Sequence, residues 1–281
     1  MTKKLFALLA TLCLLLTGCG SSGDKTSAPA KDKTTIGVIS HLNASEKSYN
    51  ELMKKLENSY RPSKANLTVN FKYFNRMSDM LAALEANQID MMSTYNCVAN
   101  YIISRNDNLE VLTSERSLYD LFCFAVREDD KTLLDELNRA IKEMSTDGTL
   151  SHLVKDYITD LKFGAEPPAV PITKIDGADT IKVAVTGDLP PFDLVLADGK
   201  PAGFSTAVLA EVSRRIGKNI ELVNVDSGAR AEILSSKGAD VLFWVSVPKD
   251  SKLVPADIDK PAGVAISDPY FSDEIVHVDK K

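Results

Sequence analysis

The segment Glu166-Pro167-Pro168-Ala169-Val170-Pro171 constrains this chain more than any other. Proline fixes φ and offers no N–H, so neither a helix interior nor a central strand passes through such a run. The chain therefore reads as two series of elements joined by a stiff spacer. Before the spacer, apolar runs predict strands over 35–39, 67–71, 89–92 and 121–126. A helix is predicted over 45–60, where Tyr49, Leu52, Met53 and Leu56 fall at helical spacing. Another is capped by Ser78 with Leu81 and Leu84 inward, and a third covers 98–104. The strongest opens at Thr132, with Asp135 completing a weak capping box. Its stripe is Leu133, Leu134, Leu137, Ile141 and Met144, and Asp147-Gly148 ends it. A short helix through Leu153 and Tyr157 follows. After the spacer come a strand over 181–185, a turn at Asp198-Gly199 and a helix over 206–216 stopped by Gly217. Strand 220–225, helix 229–235 and strand 241–245 complete the second series. Strands alternating with helices give parallel sheets covered on both faces, and ligands in such sheets bind beyond the carboxyl ends of the strands.

The 281 residues, 44% hydrophobic and 26% charged, are enough for about two cores and exclude wholesale disorder, collagen and coiled coil. The formal charge of −6 argues against a nucleic-acid partner. With one tryptophan and three histidines, no metal site or cofactor is expected.

The N-terminus addresses the protein. Lys3 and Lys4 precede a largely apolar stretch over 5–16, too short for the ~20 residues of a membrane-spanning helix. Residues 1–18 read as a signal peptide. Leu16-Thr17-Gly18-Cys19 resembles a bacterial lipobox, which implies a diacylglycerol on the Cys19 thiol; the alternative is a plain secretory signal with an incidental cysteine. Residues 19–33 form a flexible tether. Loss of Lys3 and Lys4 takes the charge from −6 to −8, which adds no attraction to anionic headgroups. The expected location is the extracytoplasmic face of the cell membrane, held by lipid. Cys97 and Cys123 remain in the folded part, as a disulfide or as two buried thiols.

The second series carries a familiar pattern. IKVAVTGDLPPFDLVLADGKPAGF, from Ile181 to Phe204, resembles the opening of the polar-amino-acid family (family 3) of solute-binding proteins of ABC importers. Ser267-Asp268-Pro269-Tyr270-Phe271 is similar to that family's approach to its first hinge strand. The first series resembles a later part of the same family. Ile36-Gly37-Val38-Ile39-Ser40 looks like the opening of its second lobe, and Leu84-Glu85-Ala86-Asn87-Gln88-Ile89-Asp90 like a motif within that lobe. Phe124-Ala125-Val126-Arg127 with the helix after it resembles the closing hinge and final helices. The lobes thus stand in reverse order. The resemblance implies an α/β two-lobe, type II periplasmic-binding-protein-like flytrap, its mostly parallel mixed sheets flanked by helices. The expected partition is 34–122 as second-lobe-like domain, 123–163 as hinge strand and closing helices, 164–179 as linker and 180–281 as first-lobe-like domain. A circular permutation gives one complete clamp; a remnant of two tandem copies is the other account. One strand near 121–126 would cross between lobes, apart from any pairing by the tail at 275–278.

For ligand recognition the resemblance is weaker. The family's arginine follows the strand matched by 241–245, where this chain has Ser246-Val247-Pro248-Lys249-Asp250-Ser251-Lys252. Lys249 or Lys252 would lack the bidentate fork. The family's ammonium-binding aspartate falls near Tyr95, its aromatic before P-P-F is Leu189, and its small polar residue is Trp244. In their place stand Trp244, Phe192, Tyr95, Asn96, Ser40 and Ser246, with Asp188 at the Pro190-Pro191 bend, as candidate ligand residues. Trp244 reads as a stacking platform or a core residue, Phe192 as a core anchor or a contact, Ser40 as a contact or a cap. His41 stands beside Ser40. Asp90, Asp188 and Asp240 end strands as catalytic acids do, yet the family pattern explains them structurally, and no hydrolase, P-loop or dinucleotide motif is present. The expected function is a monomeric, non-enzymatic receptor that captures a small polar or aromatic, amino-acid-like solute and docks on the membrane subunits of an ABC permease. A degenerate clamp, serving as sensor or protein-interaction module without transport, is the alternative.

Overall fold

The computed structural model describes residues 33–40, 42, 51, 68–112, 118–249 and 260–281. The signal, Cys19, the tether, His41 and nearly all of the helix expected over 45–60 lie outside these.

A ten-stranded sheet organises the described chain. At one end, β1 (Lys33–Ile39) lies parallel to both β2 (Thr68–Phe74) and β3 (Met91–Tyr95). At the other, β6 (Thr180–Val185) lies parallel to β10 (Asn219–Asn224) and β11 (Val241–Pro248). Two ten-residue strands join the ends: β5 (Leu118–Arg127) runs antiparallel to β11, and β13 (Phe271–Lys280) runs antiparallel to both β5 and β3. The tail therefore pairs over a longer stretch than 275–278, and it links the two parallel ends as β5 does. Short β4 (Leu109–Leu112) and β12 (Val264–Ile266) hang on β13 and β5, and β7 (Asp188–Leu189), β8 (Asp193–Val195) and β9 (Pro201–Ala202) make a separate sheet. This is a mixed α/β, type II periplasmic-binding-protein-like fold.

The helices cover both faces. They are α1 (Met77–Glu85), α2 (Asn96–Ile103), α3 (Lys131–Thr146), α4 (Thr149–Val154), α5 (Phe204–Ile216) and α6 (Arg230–Ser235). Helix α3 buries Leu133, Leu137, Ala140, Ile141 and Met144, one stripe at 3.6-residue period. Full burial of each large apolar side chain is worth ~1.5–3 kcal/mol. Its cap is Asp130, which accepts from the Leu133 N–H at 3.2 Å, and not Thr132, which lies inside the first turn. Ser78 is likewise inside α1. The acceptor for its N–H is the Asp188 carboxylate from beyond the spacer, at 3.1 Å. Helix α5 starts two residues before the expected 206, because the Phe204 and Ser205 N–H groups find the Pro191 and Phe192 carbonyls.

The two ends of the sheet are built alike. Leu84 to Asp90 and Leu234 to Asp240 both end a helix, turn through a positive-φ residue (Asn87 at 59°, Lys237 at 62°) and enter a strand. Asp90 accepts from the Thr35 N–H at 2.8 Å and Asp240 from the Lys182 N–H at 2.9 Å, each binding the neighbouring parallel strand. These aspartates are strand clamps, as the resemblance implied. The spacer is not a free tether: Val170 is buried and donates to the Pro201 carbonyl at 2.9 Å.

Candidate functional site

The carboxyl ends of β1, β2 and β3 face those of β6, β10 and β11 across a crevice, where the rule for parallel sheets places a ligand. Ile39, Met77, Leu189 and Trp244 divide it in two. The larger chamber, about 80 Å³, is lined among others by Ser40, Tyr95, Asp120, Arg230, Trp244 and Ser246. The smaller, about 10 Å³, lies among Arg76, Asp188, Asp226 and Ser227.

Trp244 stands at the centre because β11 is buried on both faces over its first five residues. The Arg230 guanidinium lies 4.5 Å from the centre of its ring, and the Tyr95 ring meets it edge-on at 5.9 Å. Its indole N–H is buried without an acceptor among the described residues. Arg230 opens α6, is 2% exposed, and donates to the carbonyls of Trp244 (2.7 Å), Ser227 (3.1 Å) and Ser40 (3.5 Å). A buried guanidinium is tolerated only with its donors met, and these three carbonyls come from both ends of the sheet. Tyr95 donates from its hydroxyl to Asp120 at 3.0 Å. Among the described residues the chamber's lining thus offers one cation, one carboxylate, three serines, Thr94, the Tyr95 hydroxyl and an indole.

Four of the seven expected ligand residues, Ser40, Tyr95, Trp244 and Ser246, line this chamber together. Asp188 lines the smaller one. Phe192 is fully buried beneath the site, 4.9 Å from Phe122 and 5.5 Å from Phe271 between ring centres. Asn96 lies on a separate groove of about 370 Å³ with Tyr101, Arg105 and Phe163. Sequence reasoning missed Arg230, Asp120 and Arg76. The usable signal for Arg230 was its place at a helix start just after a parallel strand's carboxyl end; Asp120 had only its position on the crossing strand.

Below the crevice, Asp193 is buried and accepts from Gly187 N (2.6 Å), Thr186 N (2.8 Å) and Thr186 Oγ1 (3.0 Å). Burial outweighs these bonds and pushes its carboxyl up to about 6. For Asp240, burial is overcome by the bonds from Lys182 and Arg127, and its carboxyl falls below the ordinary range. Cys97 and Cys123 are free thiols, so no disulfide joins them. No helix of the described residues is long and apolar enough to cross a membrane, and no cluster of metal-ligating side chains is present among them.

Comparison with known proteins gives a profile of bacterial extracellular solute-binding proteins, family 3, matching residues 50–160 and 181–281. No curated protein matches. Among solved structures, the chain resembles the ligand-binding component of an ABC-type import system from Staphylococcus aureus, solved with zinc bound, at 12% identity and TM-score 0.44, over 88% of this chain and 66% of that one. It resembles Tv2483 bound to L-arginine at 11% identity and TM-score 0.44, over 90% and 79%. It also resembles the alkanesulfonate-binding protein SsuA from Xanthomonas axonopodis pv. citri bound to MOPS, at 8% and 0.42, over 90% and 67%.

Proposed function

Since this chain belongs to the bacterial extracellular solute-binding proteins of family 3, we propose that it is the lipid-anchored receptor of an ABC importer, capturing a small polar, amino-acid-like solute in the crevice at Trp244. The family gives a substrate-binding, extracytoplasmic role. The solute class, the anchor at Cys19 and delivery to permease subunits are the proposal. The observation that carries it is the convergence of Ser40, Tyr95, Asp120, Arg230, Trp244 and Ser246 at facing strand ends. Capture is binding with hinge closure; no bond is made or broken. In this reading a single permuted clamp joins the two matched segments, and three parallel strands at each end of the sheet among the described residues support it.

The chamber's size narrows the solute. About 80 Å³ is well below the ~300–1,000 Å³ of ordinary ligand sites, and Arg230 covers one face of the indole. An aromatic solute stacked on Trp244 would have to displace Arg230, so small polar solutes fit better. The same crowding supports a second reading, a clamp that has lost solute affinity and serves as a sensor or interaction module. Titration with amino acids, amines and short peptides, reading Trp244 emission and melting temperature, separates the two. A solute at a hundred times its Kd stabilises the fold by ~2.7 kcal/mol. Silence across the library sinks the importer reading. Metabolic labelling with palmitate, compared in Cys19→Ser, tests the anchor.

A further inference from the structure

We infer that Arg76 is a specificity-determining residue: its guanidinium fills the smaller end of the crevice and so excludes solutes that extend past Trp244 with a cationic tail. The inference rests on the reading of the crevice as a solute site. Arg76 immediately precedes α1, at the carboxyl end of β2. Its Nη1 lies 3.3 Å from Asp226 Oδ1 and its Nε 3.7 Å from Asp188 Oδ2. Both carboxylates belong to the opposite strand ends, Asp188 after β6 and Asp226 after β10. The contact is reinforced on each side. Ser78 donates to Asp188 Oδ2 from its backbone N–H at 3.1 Å and from its hydroxyl at 3.0 Å. The Ser227 N–H donates to the Asn75 carbonyl at 3.1 Å, and Gly228 comes so close that a Cβ there would lie 2.7 Å from Asn75 Oδ1.

Two carboxylates around a planar guanidinium make a cation receptor whose guest is part of the chain. With Arg76 in place only about 10 Å³ is left at that end, against about 80 Å³ beyond Trp244. A solute confined to the larger chamber is unaffected, whereas one with a guanidinium or ammonium tail competes with Arg76 for the same carboxylates. The competition is even enough to measure, because the Arg76 and Asp226 side chains are 48% and 53% exposed. Exposed pairs are weak and salt-sensitive.

Trp244 is the only tryptophan, so acrylamide quenching reports directly on the crevice. Arg76→Ala is expected to lower the closed-to-open ratio roughly threefold to tenfold, the range that one exposed pair with Asp226 and one half-buried pair with Asp188 allow, and quenching rises. Methylguanidinium chloride should restore wild-type shielding in Arg76→Ala; sodium chloride at equal ionic strength should not. The double variant Arg76→Ala, Asp188→Asn should lose the rescue. Shielding unchanged in Arg76→Ala, or restored equally by sodium chloride, overturns the inference. If Arg76→Ala does not fold, wild-type quenching must rise with salt, and a flat response overturns it as well. Rescue without any solute hit on the wild type refutes the solute reading, and with it Arg76's part in selection. Solute hits whose range Arg76→Ala leaves unchanged refute the inference alone.

Discussion

The guanidinium of Arg230 lies 4.5 Å from the centre of the Trp244 ring while its Nη1 donates to the carbonyl of the same residue at 2.7 Å. One buried cation thus fixes both the face and the backbone of the tryptophan, and through the Ser40 carbonyl it reaches the other end of the sheet.

Arg230→Ala removes the donors of the Trp244 and Ser227 carbonyls and opens the covered indole face. Bonds to a charged group are worth ~1.5–3 kcal/mol each in a buried setting, so a loss of about 3 kcal/mol is expected. At this chain length that lowers Tm by roughly 6–12 °C. The emission of Trp244 should shift to the red as water reaches it. Arg230→Lys keeps a charge but not the three-way geometry and should fall between. A variant as stable as wild type with unshifted emission would show that Arg230 does not organise the crevice.

Gly203 carries the next expectation. Its φ is 104°, and a Cβ there would lie 2.5 Å from the Phe192 carbonyl oxygen and 2.7 Å from that of Pro191. Those oxygens accept the first two N–H groups of α5 at 2.8 and 2.9 Å. Gly203→Ala therefore forces apart the turn that starts the helix, costing about 3 kcal/mol or more. Gly199→Ala is the control: its φ is 81° but the space around it is open. It should cost about 1 kcal/mol, from backbone strain alone. Equal losses in chemical denaturation would refute the steric account.

The alternation of strands and helices was legible because it rests on local periodicity, and so was the role of Asp90 and Asp240, which recurs at the same place in two similar turns. Residues whose role is set by distant partners were not. Arg230 reads as the polar face of a short helix, and only folding brings the Ser40, Ser227 and Trp244 carbonyls around it. Ser78 looks like a cap by its residue type, yet its acceptor is Asp188, 110 positions away. Trp244 was named from its strand end, while the one local cue to the cation covering it was a helix start just after a parallel strand.

The two thiols of the folded part should be inert. Burial pushes the Cys123 thiol up to about 12, helped by the nearby Asp268 carboxylate. Burial raises Cys97 further, and Asp273 adds to it. At pH 8 about one Cys123 in ten thousand is thiolate, so a disulfide-exchange reagent should label neither thiol in the native Cys19→Ser protein and both in denaturant. Rapid labelling of native Cys123 would contradict its burial, and rapid labelling of the partly buried Cys97 would show that burial and Asp273 do not hold its thiol protonated.

Asp193 supplies a pH dependence with a definite sign. Its folded pKa, about 6, is raised above the unfolded 3.8 by burial. The neutral form is therefore the better fit to the fold. Its contribution to stability is complete below pH 3.8 and is lost as pH rises through 6. The shift corresponds to about 3 kcal/mol. Asp193→Asn keeps a carbonyl to accept from Gly187 or Thr186 but cannot ionise. The other carboxylates titrate in both proteins, so their effects cancel in the difference. Between pH 4.5 and 7.5 wild type should lose stability relative to Asp193→Asn by about 2 kcal/mol, read from urea midpoints at fixed ionic strength. Parallel curves would mean that Asp193 titrates in its ordinary range and that its three donors, not burial, set its charge.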